Sequence, residues 1–335
     1  MCERIRKCIE LVEMSLNALL TGKTDGAKEE ENSVPDHIVN ASAEVRQRLC
    51  ALKKLHLSAV DVQIDFYKRV HELETEFRPR FEELNKKRAA IVTGDHEPKA
   101  DECDAPLLCW MKPEDNESFL KAGRESTGDA PDKGVPDFWL TVLRSHPAFN
   151  EVITEADESI LHFLSDITIQ QSNEPPSFTL EFHFQENPFF KNKLLTKYYK
   201  LSIGPNELED KALYDGPNII ETKGCEIDWH EGKNITQKVK KQKKSGRQVT
   251  KVVPNESFFT FFSPSVTKIA AELPEEEADQ LHADFELGQL LRDSIIDSAV
   301  LFYTGEIVDE DDDIDFGQYE GDEDEDEEEE EEEEE

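Results

Sequence analysis

Two pairs of residues have the types and spacing for acid–base chemistry. Glu181 and His183 stand two apart in SFTLEFHF, so a strand would put them on one face, and Asp228 and His230 flank Trp229. A hydrolase could use either pair. A lone histidine–carboxylate pair specifies little, however, and nothing nearby completes a site. The chain holds no Walker A loop, GxGxxG, HExxH, GxSxG or EF-hand loop. The reading taken is a solvent-facing strand residue and an ordinary turn, with no catalytic, cofactor-binding or metal-ligating residue assigned.

The stronger chemistry is charge. The 335 residues carry 76 Asp and Glu against 38 Lys and Arg, a formal net charge of −38. Residues 309–335 hold 21 of the acids and no base, which leaves −17 on the preceding 308 residues. The last 14 residues are all acidic. Charges so dense repel one another, and a disordered polyanion is expected. Its natural partner is a strongly basic protein. Free nucleic acid is itself a polyanion, so direct, specific DNA binding is not expected. Candidate contacts are Asp309, Glu310, Asp311, Asp312 and Asp313 at the start of the tail, and Glu155, Asp157, Glu158 and Asp166 in the body. The first three body acids follow Thr154, a plausible helix N-cap, so favourable helix-end electrostatics is an equal alternative for them.

One stretch breaks the pattern. From Lys233 to Val253, KNITQKVKKQKKSGRQVTKVV has eight Lys or Arg and no acid. Ile235, Val239, Val249, Val252 and Val253 suit strands, and Ser-Gly between them signals a turn, so a projecting β-hairpin is expected. Lys238, Lys240, Lys241, Lys243, Lys244 and Arg247 could be a solvated tip, a contact for the acidic tail, or a nuclear import signal read by an import receptor. The third is preferred, because a projecting hairpin hands its lysines to a receptor intact.

The elements that must position these charges read as an α+β fold. Residues 1–40 hold an amphipathic helix, with Ile5, Ile9, Val12, Leu16 and Leu19 at helical spacing, and then a polar linker. Residues 41–93 hold the clearest period in the chain. Val45, Leu49, Leu52, Leu55, Ala59, Val62, Phe66, Val70 and Leu73 cover 28 residues in eight steps, the 3.5 average of a coiled-coil seam. Pro79 should kink or end this helix, with Phe77, Phe81 and Leu84 continuing beyond it. No second stripe of equal length exists in the chain, so the simplest partner is another copy, and a homodimer is expected. Leu49, Leu52, Leu55 and Leu57 also resemble a leucine-rich export signal, although core packing is the favoured role for apolar residues at this spacing. Residues 94–134 form a loop or accessory segment. Residues 135–308 form an α/β domain whose mostly antiparallel sheet is covered by helices. Within it DITIQQ, SFTLEFHF, LLTKYYKL and GCEIDW read as strands, ESFFTFFSP as core, and Ala283 to Tyr303 as a closing helix. Residues 309–335 are the disordered acidic tail.

Six scattered cysteines without a CxxC pair suit reduced thiols in a cytosolic or nuclear protein. Glu3, Glu10 and Glu13 interrupt any signal-peptide core, and no apolar run is long enough to span a membrane.

The blocks VRQRLCALKKLH, FYKRVHELETEF, GVPDFWLTVL, FTLEFHFQENPFF, LTKYYKL, GCEIDWHEGKNIT, VPNESFFTFFSP and ADFELGQLLRDSIIDSAVLFYTGE resemble, in order, those of the nucleosome assembly protein family. The resemblance covers roughly residues 40 to 308. It implies a homodimer built on a long antiparallel helix pair, each subunit adding an α/β domain to a curved, acidic body. It implies a non-enzymatic histone chaperone that binds core histones, chiefly histone dimers and possibly tetramers, shields them from DNA, and promotes nucleosome assembly and disassembly. The family's basic hairpin, matched here by Lys233 to Lys251, is associated with nuclear import, so shuttling between nucleus and cytoplasm is implied. The acidic phosphatase-inhibitor branch of the same superfamily is the alternative, and the basic hairpin argues against it. Met1 to Asn40 does not align clearly with the family.

Overall fold

The computed structural model describes residues 34–121, 133–205, 211–244, 247–263, 266–268 and 275–307. The expected N-terminal amphipathic helix and the acidic tail lie outside the described residues.

A short helix α1, Asp36–Val39, precedes α2, a single helix over Ala43–Val92. Its 50 residues make a rod about 75 Å long. Ser42 starts it as N-cap, its hydroxyl accepting from the Val45 amide at 3.3 Å. Pro79 was expected to end or kink this helix, and the helix runs through it. Two cation–π pairs at helical spacing bracket the proline: the Arg78 guanidinium lies 5.6 Å from the Phe81 ring, and Arg80 lies 4.5 Å from Phe77. Arg78 also donates to Gln171 at 3.3 Å and to Asp297 at 3.4 Å, so the turn that lacks one backbone bond is tied to the body.

The accessory segment contains α3, Pro113–Lys121. Three short helices follow: α4 (Phe138–Arg144), α5 (Pro147–Val152) and α6 (Glu155–Leu161). The strands β1 (Leu164–Asn173), β2 (Pro176–Phe184), β3 (Leu194–Ser202) and β4 (Asn218–Lys223) form an antiparallel sheet in chain order. The basic stretch gives β5 (Gln237–Lys244) and β6 (Arg247–Pro254), a separate two-stranded ribbon. β7 (Val266–Lys268) then closes the main sheet beside β4. The C-terminal arm is α7 (Glu275–Leu290), a π turn over Leu291–Ile295, and α8 (Ala299–Thr304).

The alternation expected in β2 is present: Phe178, Leu180, Phe182 and Phe184 are buried, while Thr179, Glu181 and His183 face the partly open side. The buried face meets Trp139, Phe149, Ile160 and Leu161 from the short helices, and Leu291, Ile295 and Ile296 from the C-terminal arm. Phe258, Phe259, Phe261 and Phe262 form a buried 3-10 turn in this core, with the Phe182 ring edge-on to Phe262 at 4.9 Å.

Two expectations shift. GCEIDW is not a strand. The fourth strand lies just upstream at Asn218–Lys223, and the GCEIDW segment keeps only a bridge between Trp229 and Phe190. Cys225 there accepts from the Thr196 amide through its Sγ and donates its own amide to the Phe262 carbonyl, which holds the segment against β3 without a ladder. The closing helix begins earlier than Ala283 and is interrupted by the π turn. α7 lies on the sheet through buried polar contacts. The Lys197 ammonium sits 2.6 Å from Asp284 and donates to the Phe261 carbonyl at 2.7 Å, while the Tyr199 hydroxyl donates to Asp284 at 2.8 Å. Gly288 allows this close approach, since a Cβ there would stand 2.4 Å from the Tyr199 ring.

Candidate binding surface

The four body acids meet different fates. Asp157 is fully buried. It accepts from the Thr154 amide at 2.8 Å and hydroxyl at 2.7 Å, from the Ser257 hydroxyl at 2.5 Å and from the Phe258 amide at 3.1 Å. The capping geometry expected at Thr154 is there, but Asp157 spends its carboxylate joining α6 to the phenylalanine turn and cannot reach a partner. Asp166 is corrected for a similar reason. It is 8% exposed, with one oxygen 3.4 Å from Arg88. Burial pushes its carboxyl above the usual range, and the Arg88 charge opposes that. Arg88 in turn donates to the Ile296 carbonyl and lies 4.8 Å over the Trp139 ring, so Asp166 belongs to a staple between α2, β1 and the C-terminal arm. Glu158 is half-buried and paired with Arg144, which also donates to Asn150 at 2.7 Å. Of the four, only Glu155 is exposed. Asp309, Glu310, Asp311, Asp312 and Asp313 lie outside the described residues.

The two histidine pairs stay apart as chemistry. His183 and Glu181 are 4.0 Å apart and meet through Thr168, which lies 2.9 Å from His183 and donates to Glu181 at 3.1 Å. Asp228 pairs with Lys191 at 3.0 Å rather than with His230. Among the described residues no cluster of three or more His, Cys, Asp or Glu could hold a metal ion.

Helix α2 has two stripes, and the structure uses the one that the sequence advertises less. His56 meets the Ala212 carbonyl at 2.8 Å and His71 the Ser172 carbonyl at 2.9 Å; Thr75 donates to Asn173 at 3.0 Å. With Val60, Ile64, Tyr67 and Arg78 these residues step by three and four, and with Arg88 further along they dock the helix on its own domain, chiefly along β1 and, at His56, on the Lys211–Leu213 turn. In the sequence this row mixes His, Thr and Arg with Val60, Ile64 and Tyr67, so it gave no sign of being the docking face. The apolar stripe is left outside. Leu52 is 59% exposed, Leu55 66%, Val62 69%, Phe66 58% and Leu73 54%. Leu49 and Val45 are exposed as well, and Leu57 and Val70 are half-buried. A row of large apolar side chains exposed along several turns is the kind of surface found at protein contacts.

The basic stretch forms the expected hairpin, with Lys238 across from Val253 and Lys244 across from Arg247. The Ser-Gly turn itself, residues 245–246, lies outside the described residues. At the base, Asn255 donates to the Thr236 carbonyl at 2.9 Å and the Ile235 carbonyl at 2.7 Å.

A long docked helix, an open antiparallel sheet and a separate basic ribbon can be set against known proteins. The family model described as Nucleosome assembly protein (NAP) matches residues 47–306. The chain belongs to this family. Among curated nucleosome assembly proteins, it is 41% identical to Nucleosome assembly protein 1-like 1 of Xenopus tropicalis over 285 residues, covering 80% of this chain and 71% of that one. It is 38% identical to human Nucleosome assembly protein 1-like 4 over 294 residues, covering 82% and 77%. The solved structure of Nucleosome Assembly Protein 1 from Plasmodium knowlesi superposes with a TM-score of 0.50 at 25% identity, covering 80% of this chain and all of that one. The nucleosome assembly protein fold and the α+β reading therefore agree.

Proposed function

We propose that this protein is a histone chaperone acting as a homodimer. It binds core histones, chiefly histone dimers, through its acidic surfaces and keeps them off DNA until a nucleosomal site is offered. Membership of the nucleosome assembly protein family carries this reading, and the net charge of −38 supplies its physics. Histones are strongly cationic and bind DNA indiscriminately. An acidic chaperone competes for the same Lys and Arg side chains, so the weaker, non-nucleosomal contacts are lost first. The exposed apolar stripe of α2 supports self-association through a helix pair. Such a pair would cover Leu49, Leu52 and Leu55, so an export signal there would be readable only when the helices part. The basic hairpin supports receptor-mediated nuclear import, and with it a shuttling location in nucleus and cytoplasm.

The test is deposition. Core histones premixed with the protein and added to relaxed plasmid with topoisomerase at physiological salt should introduce supercoils without precipitation. Precipitation equal to that without the protein would refute the reading. Replacing Lys240, Lys241, Lys243 and Lys244 with Ala should leave a tagged protein in the cytoplasm, and unchanged nuclear entry would refute the import part.

A further inference from the structure

The segment that follows α2 is explained neither by the core nor by the apolar stripe of the helix. From Asp95 to Lys121 it carries eight acids against three lysines. Within this acidic stretch Trp110 is 72% exposed, Leu107 46%, Phe119 53% and Leu120 54%. A solvated connection is polar, whereas large apolar side chains gathered in water, ringed by polar ones, mark a contact surface.

Local bonds gather these side chains on one small unit. The buried Asn116 of α3 accepts from the Leu107 amide at 2.9 Å. Phe119 and Leu120 stand three and four residues further on, so they share the Asn116 side of the helix. The Met111 amide donates to the Leu108 carbonyl at 3.0 Å, a turn that carries Trp110 between Leu107 and the start of α3. In the same turn the Cys109 amide donates to Glu306 at 2.5 Å, just past α8, which ties the segment to the end of the body. The fold thus places the apolar patch at a fixed point of the surface.

The acids decide what fits. Asp104, Glu114 and Asp115 are exposed within a few residues of Leu107 or Trp110. An indole face attracts a cation, and carboxylates beside it add a second attraction. Lys and Arg combine an apolar stem with a charged head, so one such side chain can lie on the apolar patch and still reach the carboxylates. A second copy of this chain is a poor occupant, because it brings a net charge of −38 to a segment that is itself acidic. Nucleic acid is repelled for the same reason.

We propose that Leu107, Trp110, Phe119 and Leu120 form a docking surface for a Lys- and Arg-rich protein, with Trp110 as its anchor. This deepens the histone-binding reading and rests on it. The surface is a structured contact with an apolar centre, separate from contacts that act through charge alone.

Trp110 can report on itself. Trp139 is fully buried and Trp229 half-buried, so the difference in fluorescence between the full chain and its Trp110→Phe variant isolates an indole that acrylamide quenches readily. Adding purified histone dimer should shield Trp110 from acrylamide and shift its emission to the blue. Trp110→Ala should weaken histone-dimer binding by roughly tenfold or more, the usual cost of losing a tryptophan anchor. The loss should be equal at every salt concentration, because an apolar contact is not screened. Neutralising the acids with Asp104→Asn, Glu114→Gln and Asp115→Asn together should instead weaken binding most at low salt. Truncating an exposed side chain leaves no cavity, so the urea midpoint of Trp110→Ala should match that of the wild type. If the wild-type chain binds histone dimer while Trp110 stays open to acrylamide and Trp110→Ala binds as tightly, the proposal is overturned and the histone reading stands. If the wild-type chain binds no histone dimer at physiological salt, the histone reading fails and takes this proposal with it. Shielding of Trp110 in the protein alone that is lost on dilution would make a second copy the occupant and would also overturn it. So would shielding by a DNA duplex but not by histone dimer.

Discussion

The outward stripe of α2 and the inward face of β2 are both rows of large apolar residues, and they end in opposite surroundings. Phe178, Leu180 and Phe182 have at most 1% exposure, while Leu52, Leu55, Val62 and Phe66 have 58% or more. A sheet face can be closed by helices of its own chain, and here α4 to α8 close it. A rod of 50 residues overhangs its domain, and its domain side is already engaged through His56, His71, Thr75 and Arg78. Apolar residues alone therefore do not mark the core of a subunit. Which stripe meets its own chain is decided by polar anchors, and the leftover stripe is the one the proposed dimer would cover.

Breaking the outward stripe should have the largest effect. Replacing Leu52, Val62 and Phe66 with Asp removes three side chains worth about 1.5–3 kcal/mol each when buried, so the dimer dissociation constant should rise by roughly 10³-fold or more. Sedimentation should then give the monomer mass at micromolar concentration, with the far-ultraviolet circular dichroism retained. Wild-type protein that is already monomeric there would remove the homodimer. Next is the inward row. Phe182→Ala should cost about 4 kcal/mol in urea unfolding through the cavity it leaves, whereas a loss below about 1 kcal/mol would mean that the sheet face is not the core.

These contrasts also show what the sequence disclosed. Period two in β2, the phenylalanine cluster, the hairpin and the apolar stripe of α2 were legible because each depends on local spacing. The extent of α2 was not, because the proline rule is local while Arg78, Gln171 and Asp297 that tie the helix down are far apart in sequence. The body acids were only half legible. A capping motif and an acidic patch look the same in one dimension, and Ser257 and the Phe258 amide, about 100 residues away, decide that Asp157 is structural.

That distinction gives the two smaller effects. Asp157→Ala leaves the Ser257 hydroxyl and the Phe258 amide without their acceptor and should destabilise the fold by about 2–3 kcal/mol. Any change in histone affinity should follow from lost folding alone. Glu155→Lys, two residues earlier and exposed, should change stability by less than about 0.5 kcal/mol. If the start of α6 belongs to the binding surface, it should nevertheless weaken histone-dimer binding. Calorimetry of both variants in parallel checks the pair, and a large stability loss in Glu155→Lys would invert the assignment.

The charge argument faces its most direct trial in a titration of the full chain and the chain ending at residue 308 with purified histone dimer across a salt series. Both should bind at physiological salt, the full chain more tightly and with the steeper loss of affinity as salt rises, because the tail adds screened contacts to those of the body. Absence of binding by the full chain at physiological salt would contradict the histone-chaperone reading outright.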